Sequence, residues 1–456
     1  MKKSCLLSVG TSLLALGLAG QPARAQFFGT AVAYPAGPTP TTVAVGDLNN
    51  DGHPDIVSAG QGFGNMTLLL GQAAGGFAAP VAYLTGTGTG DILLGDFNYD
   101  GKLDVLMADL GNNALVLLPG NGTGSLGVGP SYSAEQGVVS LSAGDVNGDG
   151  KLDILTANKF NNTVSVLLAL PAGGFSIRTD YAVGQSPTRA RLADLNGDGR
   201  LDILATNLAS QTLSVLLGNG TGGFGTKQDY MTGAQPTDVQ LVDLNGDGYR
   251  DAVVGTAIGR TLEVLDGNSM GTLGTKSDNY LPGMTASVAL GDVNNDGYPD
   301  VVVTQTDGNV IVLLGDATGD LGSQTSYQCG SRSDKGILAD ATGDGVLDLV
   351  VCDNRNNAIV IRPGLGRPNA VRSSALPALQ LYPNPAHETV LLSGLPATTQ
   401  PVAAVLRNSL GQVVRRMALT PTAGQASLSV AGLAAGAYTL HLHTTAGPAV
   451  RQVVVE

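Results

Sequence analysis

The residues best placed to do chemistry in this chain are carboxylates set at a fixed interval. The segment Asp47-Leu-Asn-Asn-Asp-Gly-His-Pro-Asp55 recurs with its first aspartate at Asp96, Asp145, Asp194, Asp243, Asp292 and Asp340, a spacing of 49 residues five times and then 48. The shared pattern is Asp-x-Asn-x-Asp-Gly-x-x-Asp. It places Asp47, Asn49, Asp51 and Asp55 in the first loop, Asp96, Asn98, Asp100 and Asp104 in the second, and Asp145, Asn147, Asp149 and Asp153 in the third. The fourth to sixth loops carry Asp194, Asn196, Asp198 and Asp202, then Asp243, Asn245, Asp247 and Asp251, then Asp292, Asn294, Asp296 and Asp300. The seventh carries Asp340, Thr342, Asp344 and Asp348, with a weaker neutral donor at the third position.

Three carboxylates within nine residues repel one another unless a cation sits among them, and side-chain oxygens at alternate positions converge when the chain curls. Hard oxygen donors of this kind select calcium. The glycine after the third donor permits the sharp turn, and the backbone carbonyl that follows is a further candidate donor. An EF-hand would need a glutamate at position twelve. The residues there are Ser58, Met107, Thr156, Ala205, Val254, Val303 and Val351, so the loops are of another kind. The plainer reading is that Asp, Asn and Gly merely make a turn, yet a turn does not need the ninth-position aspartate, which all seven loops have. Up to seven structural calcium ions, coupled to folding, are therefore expected.

Strands must hold these loops. Polar and apolar residues alternate in Thr42-Val43-Ala44-Val45-Gly46, and the residue two before each first aspartate is apolar: Val45, Leu94, Ala143, Leu192, Leu241, Leu290 and Leu338. A period of two means strand. Each loop is followed by a β-rich run, a turn and a second run. A marker in a Gly-rich stretch (Phe28, Phe77, Leu126, Phe175, Phe224, Leu273 and Leu321) then leads into a fourth strand. Four-stranded units cannot bury both faces alone, and radial stacking closes the array without long free edges. The expected fold is all-β: a seven-bladed β-propeller over 26–365, its last blade completed by the segment Phe28 to Tyr34. An open solenoid is the alternative, and it would leave that segment unpaired.

Composition agrees with an all-β fold. Glycine makes up 65 of 456 residues, only 13 % are charged, 43 % are hydrophobic and there is no tryptophan. Lys2 and Lys3, an apolar run from Leu6 to Leu18, and Ala23-Arg24-Ala25 read as a signal peptide over 1–25, and no later run is long and apolar enough for a membrane-spanning helix. The net charge of −13 becomes −16 once Lys2, Lys3 and Arg24 are removed, which disfavours nucleic acid as a partner and favours cations. Cys329 and Cys352 form either a disulfide or two buried thiols on neighbouring strands.

The loops and their period resemble FG-GAP or VCBS-type repeats, as in the propeller of integrin α-subunit heads and of many secreted bacterial proteins. The resemblance implies calcium at loop positions one, three, five and nine, and adhesion or ligand display more often than catalysis. After a linker over 366–378, residues 379–456 read as a small β-sandwich, Ig-like in build. Tyr382-Pro-Asn-Pro385, Asn408-Ser-Leu-Gly-Gln412, Ala435-Gly-Ala-Tyr438 and the closing valines resemble the C-terminal sorting domain of the type IX (Por) secretion system. That resemblance implies secretion or attachment at the outer cell surface, with the secretion machinery as a partner; an ordinary adhesive module is the alternative.

Catalytic motifs are missing from the sequence. His53, His387, His441 and His443 make no zinc pattern, and Gly218 to Gly223 matches a dinucleotide loop only formally because a strand follows. The turns opposite the acidic loops, with Asn112, Asn113, Lys159, Phe160, Asn161, Asn207, Gln211, Arg260, Asn354, Arg355 and Asn357, could dock a ligand or be plain surface. Arg189 and Arg191 could face the central channel. The expected function is a non-catalytic, extracellular, calcium-binding adhesion or ligand-binding module, with a protein or glycan ligand. A carbohydrate lectin, or less readily a polysaccharide-degrading enzyme, is the alternative.

Overall fold

The computed structural model of the chain describes residues 26–366 and 380–455, apart from 61–64, 87, 383–385, 396–401, 408–412, 423, 434–435 and 445–446. The signal peptide expected over 1–25, and all but the first residue of the expected linker, lie outside the described residues. Among the described residues there is no helix, so none is long and apolar enough to cross a membrane.

Seven four-stranded antiparallel sheets occupy the repeat region. In the first, Pro40–Gly46 pairs with Asp55–Gly60, which pairs with Asn65–Leu69, which pairs with Val81–Leu84. Burial explains the sequence gradient across each sheet. The second strand is buried at every residue, as in Asp55–Gly60 and Asp300–Gln305, because both its faces lie against neighbouring sheets. That is why these strands read as continuous apolar runs rather than alternating ones. The fourth strand is mostly exposed, as in Val81–Leu84 and Gln228–Met231, and varies in residue type from sheet to sheet.

The innermost strand of each sheet packs against that of the next, and Ser333–Ala339 of the last packs against Pro40–Gly46 of the first. The ring is closed. Its seventh sheet is Ser333–Ala339, Asp348–Asp353 and Ala358–Arg362, completed by Val32–Pro35 from the start of the chain. Val32 pairs with Ile361 and Pro35 with Ala358. The pairing expected of the N-terminal segment is thus formed, which excludes the open solenoid. Just before it, Phe28 is fully buried and meets the Tyr327 ring edge-on at 5.4 Å, while the Phe27 amide donates to the Tyr327 hydroxyl at 2.7 Å. Phe28 also bridges Gly364, as Phe77 bridges Gly71 and Phe224 bridges Gly218.

Residues 380–455 form two further sheets. One contains Gln380–Tyr382, Thr389–Ser393 and Gln425–Ser429; the other contains Val402–Arg407, Val413–Leu419, Gly436–Thr444 and Gly447–Val455. Strict alternation puts Val390, Leu392, Ala426 and Leu428 into a core shared with Leu406, Leu440, Leu442 and Val453. This is the sandwich the alternating runs predict. Cys329 and Cys352 are free and buried, and burial pushes the Cys329 thiol up to about 11.

Because Phe28 anchors the strand that closes the ring, Phe28→Ala should destabilise the mature chain by about 3–5 kcal/mol. Urea unfolding measures this, and a loss below about 1 kcal/mol would show that closure rests elsewhere.

Candidate functional site

Each acidic loop joins the first strand of a sheet to the second, so all seven lie on one face of the ring. The loops are held by their own side chains. Asp47 accepts the amides of Asp51 (3.2 Å) and Gly52 (2.9 Å), Asn49 accepts that of Asp51 (3.0 Å), and Asp51 accepts that of His53 (2.8 Å). The same bonds recur around Asp96, Asp145, Asp194, Asp243 and Asp292. In the seventh loop Asp340 accepts from Asp344 and Gly345, whereas Thr342 turns to Asp348. Gly52 sits at φ 84° and its counterparts share the left-handed region, which only glycine enters cheaply.

The ninth-position aspartates stand apart because they are buried. One Asp55 oxygen accepts the Leu48 amide within the loop (2.8 Å), and the other accepts the Gly71 amide at the end of the third strand (2.8 Å). Asp104, Asp153, Asp202, Asp251, Asp300 and Asp348 repeat this bridge. Burial pushes the Asp55 carboxyl up, the two amides pull it down, and Asp47 and Asp51 push it up again; the net shift is upward. All seven shift the same way, and Asp300 is pushed up to about 7.

Among the described residues no three acidic, imidazole or thiol groups form a ready-made metal cage. The donor set nevertheless suits a hard cation. A carboxylate offers about four lone-pair directions, so the amide bonds to Asp47 and Asp55 leave acceptor capacity unused, and the neighbouring charges that raise Asp55 are those a cation would offset.

A second polar assembly lines the central channel. Five residues before each first loop aspartate stand Thr42, Asp91, Ser140, Arg189, Asp238, Ser287 and Lys335, one per sheet and all polar. Asp91 accepts the Leu141 amide (3.2 Å), Ser140 that of Ala190 (3.4 Å), Asp238 that of Val288 (3.0 Å) and Ser287 that of Gly336 (2.8 Å). Each of these bonds reaches the innermost strand of the next sheet. Lys335 and Thr42 both donate to Asp91 at 2.8 Å, which also lies 3.3 Å from Arg189; Asp238 lies 3.3 Å from Arg191 and 3.7 Å from Arg189. Burial pushes the Asp91 carboxyl up, but Lys335 and Arg189 outweigh it and hold it well below the usual carboxylate range.

The sequence placed Arg189 and Arg191 in the channel as one option, and they are there; it missed Asp91, Asp238 and Lys335. The available signal was a polar residue at the same position of all seven innermost strands. On the opposite edge, Asn113, Gln211, Arg260 and Asn357 occupy left-handed turn positions and serve the hairpins. Asn207, grouped with them as a docking residue, is buried, its amide donating to the Thr212 and Ser214 hydroxyls.

A ring of four-stranded sheets with an acidic loop in each defines the class, and the family model for the FG-GAP-like repeat matches residues 47–107, 96–156, 145–205, 194–254 and 292–351. The chain belongs to the FG-GAP-like repeat family. Residues 380–456 match the secretion system C-terminal sorting domain, so the protein is a type IX cargo, secreted or attached at the outer cell surface, and its C-terminal domain engages that machinery. A search of curated proteins finds no significant match. Among solved structures, the chain is similar to BBS1N, crystallised in complex with ARL6DN and soaked with lead, at 13 % identity and a TM-score of 0.53, covering 75 % of this chain and 98 % of that one. A protein from Lactobacillus plantarum is similar at 15 % identity and a TM-score of 0.48, over 63 % of this chain and 84 % of that one. The first of these likenesses supports the propeller fold.

Two outcomes follow from these electrostatics. An acid whose folded pKa is raised gives its full contribution below the unfolded value and loses it as pH rises through the folded one. In chelator, the native chain should therefore lose stability relative to Asp300→Asn as pH rises from about 4 to about 7, read as diverging melting temperatures. Asp238→Ala strands Arg191 in the channel and should cost about 3–5 kcal/mol in chemical denaturation; a cost near zero would mean the channel charges do not couple the sheets.

Proposed function

We propose that the mature chain is an extracellular, calcium-stabilised propeller that acts as a non-catalytic adhesion or ligand-binding module. The observation that carries the calcium reading is the sevenfold recurrence of oxygen donors at positions one, three, five and nine, with a buried ninth carboxyl raised beside two others. Asp47, Asn49, Asp51 and Asp55 would hold the first ion and the corresponding residues the others, with Thr342 in place of asparagine in the last. A bound ion supplies positive charge among these carboxylates and lowers the cost of keeping the ninth one ionised and buried.

The non-catalytic part of the reading is supported by the channel, where Asp91 and Asp238 are each matched to cations. Asp91, held below the usual range, is poorly suited to exchange protons near neutral pH. The adhesive part is supported by location and by the variety of the turns on the face opposite the loops, which the fold leaves free to differ.

Adding millimolar calcium to the chelated mature chain should raise its melting temperature by roughly 10 °C, since each occupied loop contributes about 1 kcal/mol at tenfold excess over its Kd. An unchanged melting temperature, with no metal retained in equilibrium dialysis, would overturn the calcium reading.

A further inference from the structure

On the side of the acidic loops, the channel holds a cavity of about 570 Å³ whose floor is the charged girdle. Its wall is two-sided. Three residues before each first loop aspartate stand Ala44, Leu93, Ser142, Arg191, Gln240, Ala289 and Ile337, one on each innermost strand. Around the ring they fall into two unbroken arcs: Ser142, Arg191 and Gln240 on the third, fourth and fifth sheets, and Ala289, Ile337, Ala44 and Leu93 on the sixth, seventh, first and second. All of them except Ala44 line the cavity. The position five before the loop is polar in every sheet, whereas this one is sorted by side.

The charges in and below this cavity do not balance. The chain has only 24 Lys and Arg against 37 Asp and Glu, yet the girdle sets Arg189, Arg191 and Lys335 against Asp91 and Asp238 alone, a surplus of one positive charge. Arg191 is the least satisfied of the three. One of its N–H groups reaches a single Asp238 oxygen and another the Ala190 carbonyl, both at 3.3 Å, and its remaining donors have no partner among the described residues. Asp238 does not depend on Arg191 alone, because it also accepts the Val239 amide (2.9 Å) and the Val288 amide (3.0 Å) and lies 3.7 Å from Arg189. The Arg191 side chain is 20 % exposed, so an anion in the cavity can reach it.

We infer that this cavity binds an aliphatic monocarboxylate, its carboxylate paired with Arg191 on the polar arc and its hydrocarbon chain against Leu93, Ala289 and Ile337 on the apolar one. The cavity has the volume of a small-molecule site, and a mostly apolar wall with one well-placed charge is the usual build of such sites. Both halves of the ligand are needed. A guanidinium makes its stronger, charge-assisted bonds to a carboxylate, so a neutral hydrocarbon would leave Arg191 uncompensated, while a small inorganic anion would leave the apolar arc facing water. The inference goes beyond the adhesive reading, which uses the turns of the opposite face. It rests on the calcium reading at one point: ions in the loops would relieve the repulsion that an entering anion meets at this mouth.

Calorimetric titration of the mature chain in millimolar calcium with octanoate, octan-1-ol and acetate tests this. Saturable binding of a single octanoate is expected, with the alcohol, which lacks the charge, and acetate, which lacks the chain, each at least tenfold weaker. Arg191→Met should weaken octanoate binding at least tenfold, while Arg191→Lys should retain most of it. Ala289→Phe fills the cavity from its apolar side with every channel charge left in place, and should abolish binding whether or not the Arg191 variants fold. Octanoate affinity unaltered in Arg191→Met or in Ala289→Phe, octan-1-ol binding as tightly as octanoate, or no saturable binding at all would overturn the assignment. Failure here with the calcium-dependent rise in melting temperature intact would remove the channel site alone; loss of both would remove the site and the calcium reading together.

Discussion

The seven innermost strands run side by side around the channel without sharing a hydrogen-bonded ladder, so something other than sheet pairing must set their spacing. The polar residue five before each acidic loop supplies it. Asp91, Ser140, Asp238 and Ser287 each take an amide from the following sheet, while Lys335 and Arg189 tie these acceptors across the ring. Apolar packing between sheets drives assembly but is indifferent to small slips along the strand direction. A buried hydrogen bond is not, because a slipped carboxylate is left unsatisfied at a cost of several kcal/mol. The register of the ring, and with it the alignment of seven loops on one face, depends on this girdle.

The acidic loops do two jobs with one set of side chains. Positions one, three and five fold the loop on itself, whereas the ninth carries the connection outward: Asp55 ties the loop to Gly71, sixteen residues later, and so joins the first connection of a sheet to its third strand. These roles leave room for the proposed ion binding, because amides occupy only part of each carboxylate's acceptor capacity. Burying the carboxylate for structural reasons is what raises Asp300 most, and the like charges of Asp296 and Asp292 add to the shift.

The loops, the sevenfold count and the closing strand were legible because each is written locally: donors within nine residues, a fixed period, and an unmatched segment at each end. The girdle was not, since Asp91 and Lys335 meet across 244 positions and only the ring places them together. The forward reach of Asp55 to Gly71 was hidden for a similar reason, as a glycine carries no side chain to announce that its amide is the partner. Asn207 misled because asparagine favours turns over strands, whereas here it ends the strand Asp202–Asn207 and is buried.

The pairing of Val32 with Ile361 makes the ring a closed object only when the whole repeat region is present. Six sheets are built from contiguous chain and can assemble by contacts close in sequence; the seventh must capture a strand from more than 300 residues away, the slowest kind of contact to find. That one sheet is a latch. The same seam, held by four residue pairs and two phenylalanines, is where mechanical or thermal opening of the finished ring would start.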